Sequence, residues 1–420
     1  MARILCVTSM YPPHHQGGYE VSCRDVMVRL AERGHDVTVL TADRRIAGVA
    51  DPAGEREANP AVRRDLRLYY RDDIWAPGPW GRWRIERHNQ RAIRDALDAA
   101  RPDAVTVWHV GALSLGVVTT VVGRHLPVVY GISDDWLTYA NQLDRWLTVM
   151  RRLGPLGPPL RHLVRVPTVA PDLGPTGVFC FISESTKQRS EEASPWRFPR
   201  STIVYSGIDR TLFTPREVMP PWRGHLLYVG RYDPRKGIET AIRAMAELPG
   251  CTLEVQGTGD DAYRAALEAL ATRLGVSERV AFRRVPRAEL PARYGEADVC
   301  VFPSEWVEPF GLVPLEAMAC GTPVVSTAMG GSAEFLVDGA NCLLFPAGDE
   351  GALTRAVRRL EADVDLRSSL VRDGYRTAAY FDVERLADSY EAWLAAAARG
   401  FAAPLPASRH FSLDTAGAGG

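Results

Sequence analysis

Residues 308–316 read Glu-Pro-Phe-Gly-Leu-Val-Pro-Leu-Glu, which puts Glu308 at the mouth of a short helix and Glu316 one to two turns inside it. The apolar run 299–302 predicts a buried strand, which Pro303, Ser304 and Glu305 break; residues 312–319 have helical composition and stop at Gly321, with Pro323 beyond. A helix start presents unpaired N–H groups and the positive end of the dipole. The backbone of Phe310, Gly311 and Leu312 can therefore cradle a diphosphate or sugar hydroxyls. The two carboxylates only accept hydrogen bonds, so their natural partners are hydroxyls: a ribose diol for one and a hexose hydroxyl for the other. On spacing alone, an acid favoured by the dipole followed by a solvated glutamate fits equally well.

A second cluster of chemistry lies upstream. Residues 226–229 read as a strand, and residues 230–237, Gly-Arg-Tyr-Asp-Pro-Arg-Lys-Gly, form a cationic turn leading into a helical stretch over 238–248. Arg231 can fork onto two phosphate oxygens, and Lys236 supplies a compact charge. The chain has only two lysines, at 187 and 236, against 48 arginines, so a lysine in this turn is notable. The plain alternative is a solvated basic turn.

With Gly330, Gly331 and Glu334, these motifs resemble the retaining nucleotide-sugar glycosyltransferases of family 4. The resemblance runs from about residue 2 to 397 and is densest over 226–346. It implies an α/β chain of the GT-B type, two Rossmann-like parallel-sheet domains facing each other across a cleft. The implied activity is transfer of a hexosyl-type group, with retention, from a nucleoside diphosphate sugar, UDP or GDP, to an acceptor hydroxyl or amine in glycan, glycolipid or natural-product synthesis. Glu308 then orients the donor sugar and Glu316 holds the ribose. Arg231, Lys236 and the helix start receive the departing diphosphate, with no metal and no other cofactor. Gly17 and Gly18 face the diphosphate and reacting sugar, and Arg284 and Val285 lie in the nucleobase loop. Residues 133–136, Ser-Asp-Asp-Trp, depart from the family's His-Asp-Tyr-Trp. Ser133 thus replaces a histidine that reaches the donor sugar, which puts the identity of that sugar in question; Asp134 and His109 stand near enough in the pattern to take over part of its role. Arg283 stands where glycine is common, and residues 206–209 read Ser-Gly-Ile-Asp in place of Asn-Gly-Val-Asp.

The elements that must position these residues alternate strand and helix, the rhythm of a parallel sheet covered on both faces. Strands are expected at 4–8, 37–41, 104–108, 128–132 and 178–182, with an amphipathic helix over 20–33 closed by Gly34. The expected division is an acceptor domain over 1–206, a nucleotide-sugar domain over 207–385, a helix over 386–400 returning to the first domain, and a disordered tail over 401–420. Segments 74–89 and 143–171 resist assignment. The first interleaves Trp75, Trp80 and Trp83 with arginines; the second mixes Arg, Leu and Pro. Contacts to sugar or phosphate, surface insertions with buried anchors, and a basic patch touching a membrane all fit, although the prolines interrupt any continuous helix.

The formal net charge is -1, which excludes a global field for nucleic acid or for an anionic membrane. The balance is uneven: residues 1–205 carry 27 basic and 22 acidic side chains, which suits an anionic acceptor and a neutral one almost as well. Seven scattered cysteines in apolar contexts read as core residues in a reducing compartment. His14 and His15 beside two prolines read as loop, and the Asp-Val-Asp at 363–365 as surface. The expected location is cytoplasmic, at most peripheral to the inner face of a membrane; the acceptor is a sugar, lipid-linked or natural-product molecule. A pseudoglycosyltransferase, a sugar-nucleotide epimerase of the same fold and a non-catalytic nucleotide-sugar binding protein remain open alternatives.

Overall fold

The computed structural model describes residues 1–69, 77–216, 218–402, 405–406 and 410–413. The chain divides into two compact units, residues 1–205 with 384–409 and residues 206–383 with 410–420.

The first unit is built on seven parallel strands, β1 (Arg3–Val7), β2 (Asp36–Ala42), β3 (Ala61–Leu66), β4 (Ala104–Val107), β5 (Val128–Ile132), β6 (Gly177–Phe181) and β7 (Ser201–Ile203), in the order β3-β2-β1-β4-β5-β6-β7. Both faces are covered, so the central strands are continuous apolar runs and β4, β5 and β6 are buried throughout. The helix Gly18–Glu32 starts two residues before its expected position. The last long helix, Val383–Ala398, lays Tyr390 on Trp108 with ring centroids 4.7 Å apart. Its Glu384, Asp388 and Glu391 surround Arg33, with contacts of 2.7–2.8 Å.

The second unit has six parallel strands, β8 (His225–Val229), β9 (Thr252–Gln256), β10 (Val280–Arg283), β11 (Val299–Phe302), β12 (Val324–Ser326) and β13 (Leu343–Leu344), in the order β10-β9-β8-β11-β12-β13. The stretch expected as one helix over 238–248 is an α-helix, Ile238–Ala244, that tightens into a 3-10 turn at Met245–Glu247. Asp363, read as surface, caps the helix Val364–Tyr380 by accepting from the Leu366 N–H at 2.8 Å. Part of the tail expected to be disordered lies outside the described residues; of the rest, Phe411 packs on Phe381 with centroids 5.0 Å apart. All seven cysteines are free and buried.

In each sheet the first strand of the unit is flanked by its second strand on one side and by a later one on the other: β1 by β2 and β4, β8 by β9 and β11. The chain reverses its winding there, and the loops leaving the paired strands diverge to leave a crevice at their C-terminal ends.

Candidate active site

In the second unit that crevice lies between β8 and β11, and it gathers the predicted cations and Glu308. The turn after β8 is set by Asp233, whose carboxylate accepts from the Arg235 N–H at 3.0 Å and holds the Arg235 guanidinium at 2.7 and 3.0 Å. That pairing is the main reason the Asp233 carboxyl is held down at about 2. Arg231 reaches Asp233 only at 3.5 Å and leaves about half its side chain exposed, so it is the cation with room to meet an incoming anion. Gly237 lets this turn press on the next loop: its φ is +64°, and a Cβ there would stand 2.0 Å from the Pro303 carbonyl oxygen.

The outcome is a short ion pair. Lys236 Nζ lies 2.6 Å from Glu308 Oε1, and Ser304 Oγ donates to the same oxygen at 2.6 Å. Trp306 floors the cluster, with the Arg235 guanidinium 4.3 Å and Lys236 Nζ 5.2 Å from its ring centroid. The Glu308 backbone is held from the other side, its N–H donating to Met329 O at 3.2 Å and its carbonyl accepting from Gly331 N–H at 2.7 Å. Gly330 makes this approach feasible, because at φ +72° an added Cβ would lie 2.4 Å from Glu308 O.

The helix Leu312–Ala319 begins at Gly311 with no side-chain cap, leaving the helix start open to an anion. Phe310 contributes backbone only: its ring is buried against Phe335 and Phe381. Glu316 is buried and already held, with Tyr294 Oη donating to Oε2 at 3.0 Å and Arg287 ion-paired to Oε1 at 2.7 Å. Each carboxylate oxygen has a second lone pair, so a diol can still be accepted. Arg284 and Val285 follow β10, an edge strand separated from β8 by β9; Arg284 is exposed and Val285 half-buried.

In the first unit the crevice lies between β1 and β4. There the structure differs from a free anion loop: Gln16 and Gly17 give their N–H groups to the buried Glu20 carboxylate at 3.2 and 2.9 Å, and Gly18 opens the helix. His109, expected near the sugar, has both ring nitrogens engaged inside the unit. Nδ1 lies 2.6 Å from Ser9 Oγ and Nε2 lies 3.2 Å from Asp134 Oδ2 and 3.1 Å from Tyr139 Oη. Burial alone would lower the imidazole's pKa, but the charge and hydrogen bond of Asp134 outweigh it and raise it; the same pairing holds the Asp134 carboxyl down against its own burial. Ser133 is half-buried at the end of β5, beside this network.

Two family models divide the chain between them: "Glycosyl transferase 4-like domain" matches residues 17–165 and "Glycosyl transferases group 1" matches residues 218–377. This chain belongs to the GT-B glycosyltransferases of family 4. Among similar proteins, the lipopolysaccharide core biosynthesis glycosyltransferase LpsE of Rhizobium meliloti is 40% identical over 39% of this chain and 48% of its own length. A D-inositol 3-phosphate glycosyltransferase of Geodermatophilus obscurus is 38% identical over 49% of each chain, so these matches span about half of either relative. A GDP-mannose-dependent phosphatidylinositol monomannoside mannosyltransferase of Mycolicibacterium smegmatis is 28% identical over 86% of this chain and 89% of its own. In fold, the chain resembles sucrose-phosphate synthase from Thermosynechococcus elongatus at a TM-score of 0.70 with 22% identity, covering 92% and 97% of the two chains. Anabaena HepE, solved in complex with UDP and glucose, gives 0.67 with 19% identity, covering 93% and 98%.

Four residues of the candidate site carry no clear signal in the sequence. Ser304 reads in the sequence only as a strand breaker, yet it is a hydrogen-bond donor to Glu308. Trp306 lies between the two motifs without belonging to either. Tyr294 and Arg287 come from the helix Leu290–Glu296 and the turn Arg287–Glu289 before it. Their signal was weak: an isolated Tyr and one arginine among 48 mark nothing until the fold brings them to Glu316.

Proposed function

We propose that this chain transfers a glycosyl group from a nucleoside diphosphate sugar to an acceptor hydroxyl or amine, with retention at the anomeric carbon. The observation that carries this reading is the convergence of Lys236 and Glu308 at 2.6 Å, at the switch point of the second sheet and next to an uncapped helix start. A cation, a hydroxyl acceptor and an anion-binding backbone in one crevice match the three charge features of a nucleoside diphosphate sugar.

In the proposed reaction the bond from the anomeric carbon to the diphosphate oxygen breaks and its electron pair leaves with the diphosphate. Arg231, Lys236 and the N–H groups near Gly311 stabilise that charge. The acceptor oxygen bonds to the same face of the sugar, and its proton passes to the departing phosphate oxygen. Glu308 orients the sugar through a hydroxyl, while Glu316 holds the ribose. UDP and GDP are the candidate carriers; the UDP seen with HepE and the GDP-mannose named for the mycobacterial relative support those two.

The test is a thermal-shift comparison of UDP, GDP, ADP and TDP, followed by nucleotide release from the matching sugars with and without acceptors. Stabilisation by UDP or GDP and acceptor-dependent release are expected; no stabilisation by any nucleotide, and no release, would overturn the reading.

A further inference from the structure

Residues 145–171 carry five arginines and no aspartate or glutamate. The segment is anchored by buried side chains and hydrogen bonds. Its helix Arg145–Arg152 buries Trp146, Leu147 and Met150, and Trp146 Nε1 donates to Pro167 O at 2.5 Å. Trp83 of the helix Pro79–Ala100 donates from Nε1 to Val164 O at 3.1 Å, and Arg82 donates to Arg145 O at 3.2 Å. With these anchors satisfied, large apolar side chains face outward beside the exposed Arg151, Arg152, Arg161 and Arg165: Leu156 is 70% exposed, Leu163 78% and Trp80 77%, with Leu153 and Val169 also exposed. Trp80 stands against Trp83 with centroids 5.8 Å apart, so it belongs to the same surface.

Exposed leucines and a tryptophan among arginines, with no acid in the segment, suit one kind of partner. We propose that this face docks onto an anionic lipid bilayer: Leu156, Leu163 and Trp80 enter the headgroup region and the surrounding arginines meet lipid phosphates. A protein partner would have to supply a matching acidic rim, whereas an anionic membrane supplies that charge everywhere. Among the described residues no helix is long and apolar enough to cross a membrane, and docking of this kind needs none.

The experiment is co-sedimentation with vesicles containing phosphatidylglycerol, compared with vesicles of phosphatidylcholine alone, at low and high salt. It needs neither donor nor acceptor, so its outcome is independent of the transfer reaction. The full chain is expected to pellet with the anionic vesicles and to be released by salt. Arg152→Glu, and separately Leu156→Asp with Leu163→Asp, should each lower the partition roughly tenfold while circular dichroism stays unchanged. Failure to pellet with anionic vesicles, or equal partition onto both lipids, overturns the proposal. So do variants that pellet like the wild type, a result that would place the lipid contact on another face.

Discussion

Lys236 Nζ and Glu308 Oε1 lie 2.6 Å apart although 72 residues separate them in sequence. The pair ties the turn after β8 to the loop after β11, so removing the lysine both strips a cation from the crevice and leaves the Glu308 carboxylate to Ser304. Lys236→Ala, and independently Arg231→Ala, should lower turnover with the full donor by roughly ten- to a thousandfold, since charge-assisted contacts to a departing diphosphate are worth a few kcal/mol. Nucleotide-release kinetics decide it; full activity in both variants refutes the assignment.

The two glutamates should separate in a binding experiment. Glu316→Gln is expected to weaken the free nucleoside diphosphate, whereas Glu308→Gln should spare it and depress turnover. Arg287→Ala should follow Glu316→Gln, because it leaves a buried carboxylate with Tyr294 alone, and Arg287→Lys should restore part of the affinity. Calorimetry reads all four; equal losses for Glu308→Gln and Glu316→Gln would end the division of roles.

Gly330→Ala tests position without touching charge. The added methyl would collide with the Glu308 backbone, so kcat should fall while nucleotide affinity holds. Unchanged kcat would mean that the strand-like contact between Glu308 and Gly330 does not place the carboxylate.

Glu86 gives a pH prediction. It is fully buried, accepts from Tyr69 at 2.9 Å and Gln90 at 3.0 Å, and burial, with Asp144 nearby, raises its carboxyl to about 7. A raised acid keeps its proton in the folded state after the unfolded chain has lost it, so its contribution is full at low pH and is lost as pH rises. Stability should decline by up to about 1.4 kcal/mol per pH unit between roughly pH 5 and 7 and then level off. His109, also raised, loses stability in the same direction as pH rises above its ordinary value. The decisive measurement is therefore the difference from Glu86→Gln, whose melting temperature should vary less with pH; parallel profiles would show that Glu86 does not titrate there.

Ser133 bears on donor choice. A serine at the end of β5 leaves space that a histidine would fill, so the wild type should favour a deoxy, amino or acetamido sugar over plain glucose or mannose, and Ser133→His should reverse that order. An unchanged ranking of donors would remove position 133 from sugar selection.

Much of this is legible in the sequence. The strands Val128–Ile132 and Val299–Phe302 and the helix Leu312–Ala319 fall where their apolar runs and glycine stops place them. Side-chain pairing was not legible. Nothing in the spacing of Gln16, Gly17 and Glu20 says that the acid would fold back onto the loop's N–H groups, and nothing local links Arg287 to Glu316. Periodicity records which face a residue buries, whereas a partner across a loop depends on how the connections close. Of the tryptophans in segment 74–89, Trp83 proved to be an anchor and Trp80 an exposed ring, while Trp75 lies outside the described residues.

The buried thiols make the chain its own reporter of opening. Burial pushes the thiols of Cys320 and Cys342 up to about 12 and that of Cys251 to about 11, so neither access nor thiolate is offered to an alkylating reagent while the core is closed. Labelling should then proceed only at the rate at which the sheets breathe. Cys6, Cys23 and Cys180 sit in the first unit and Cys251, Cys300, Cys320 and Cys342 in the second, so the order in which peptides acquire the label would tell which unit loosens first and whether a bound nucleotide slows one clock without the other.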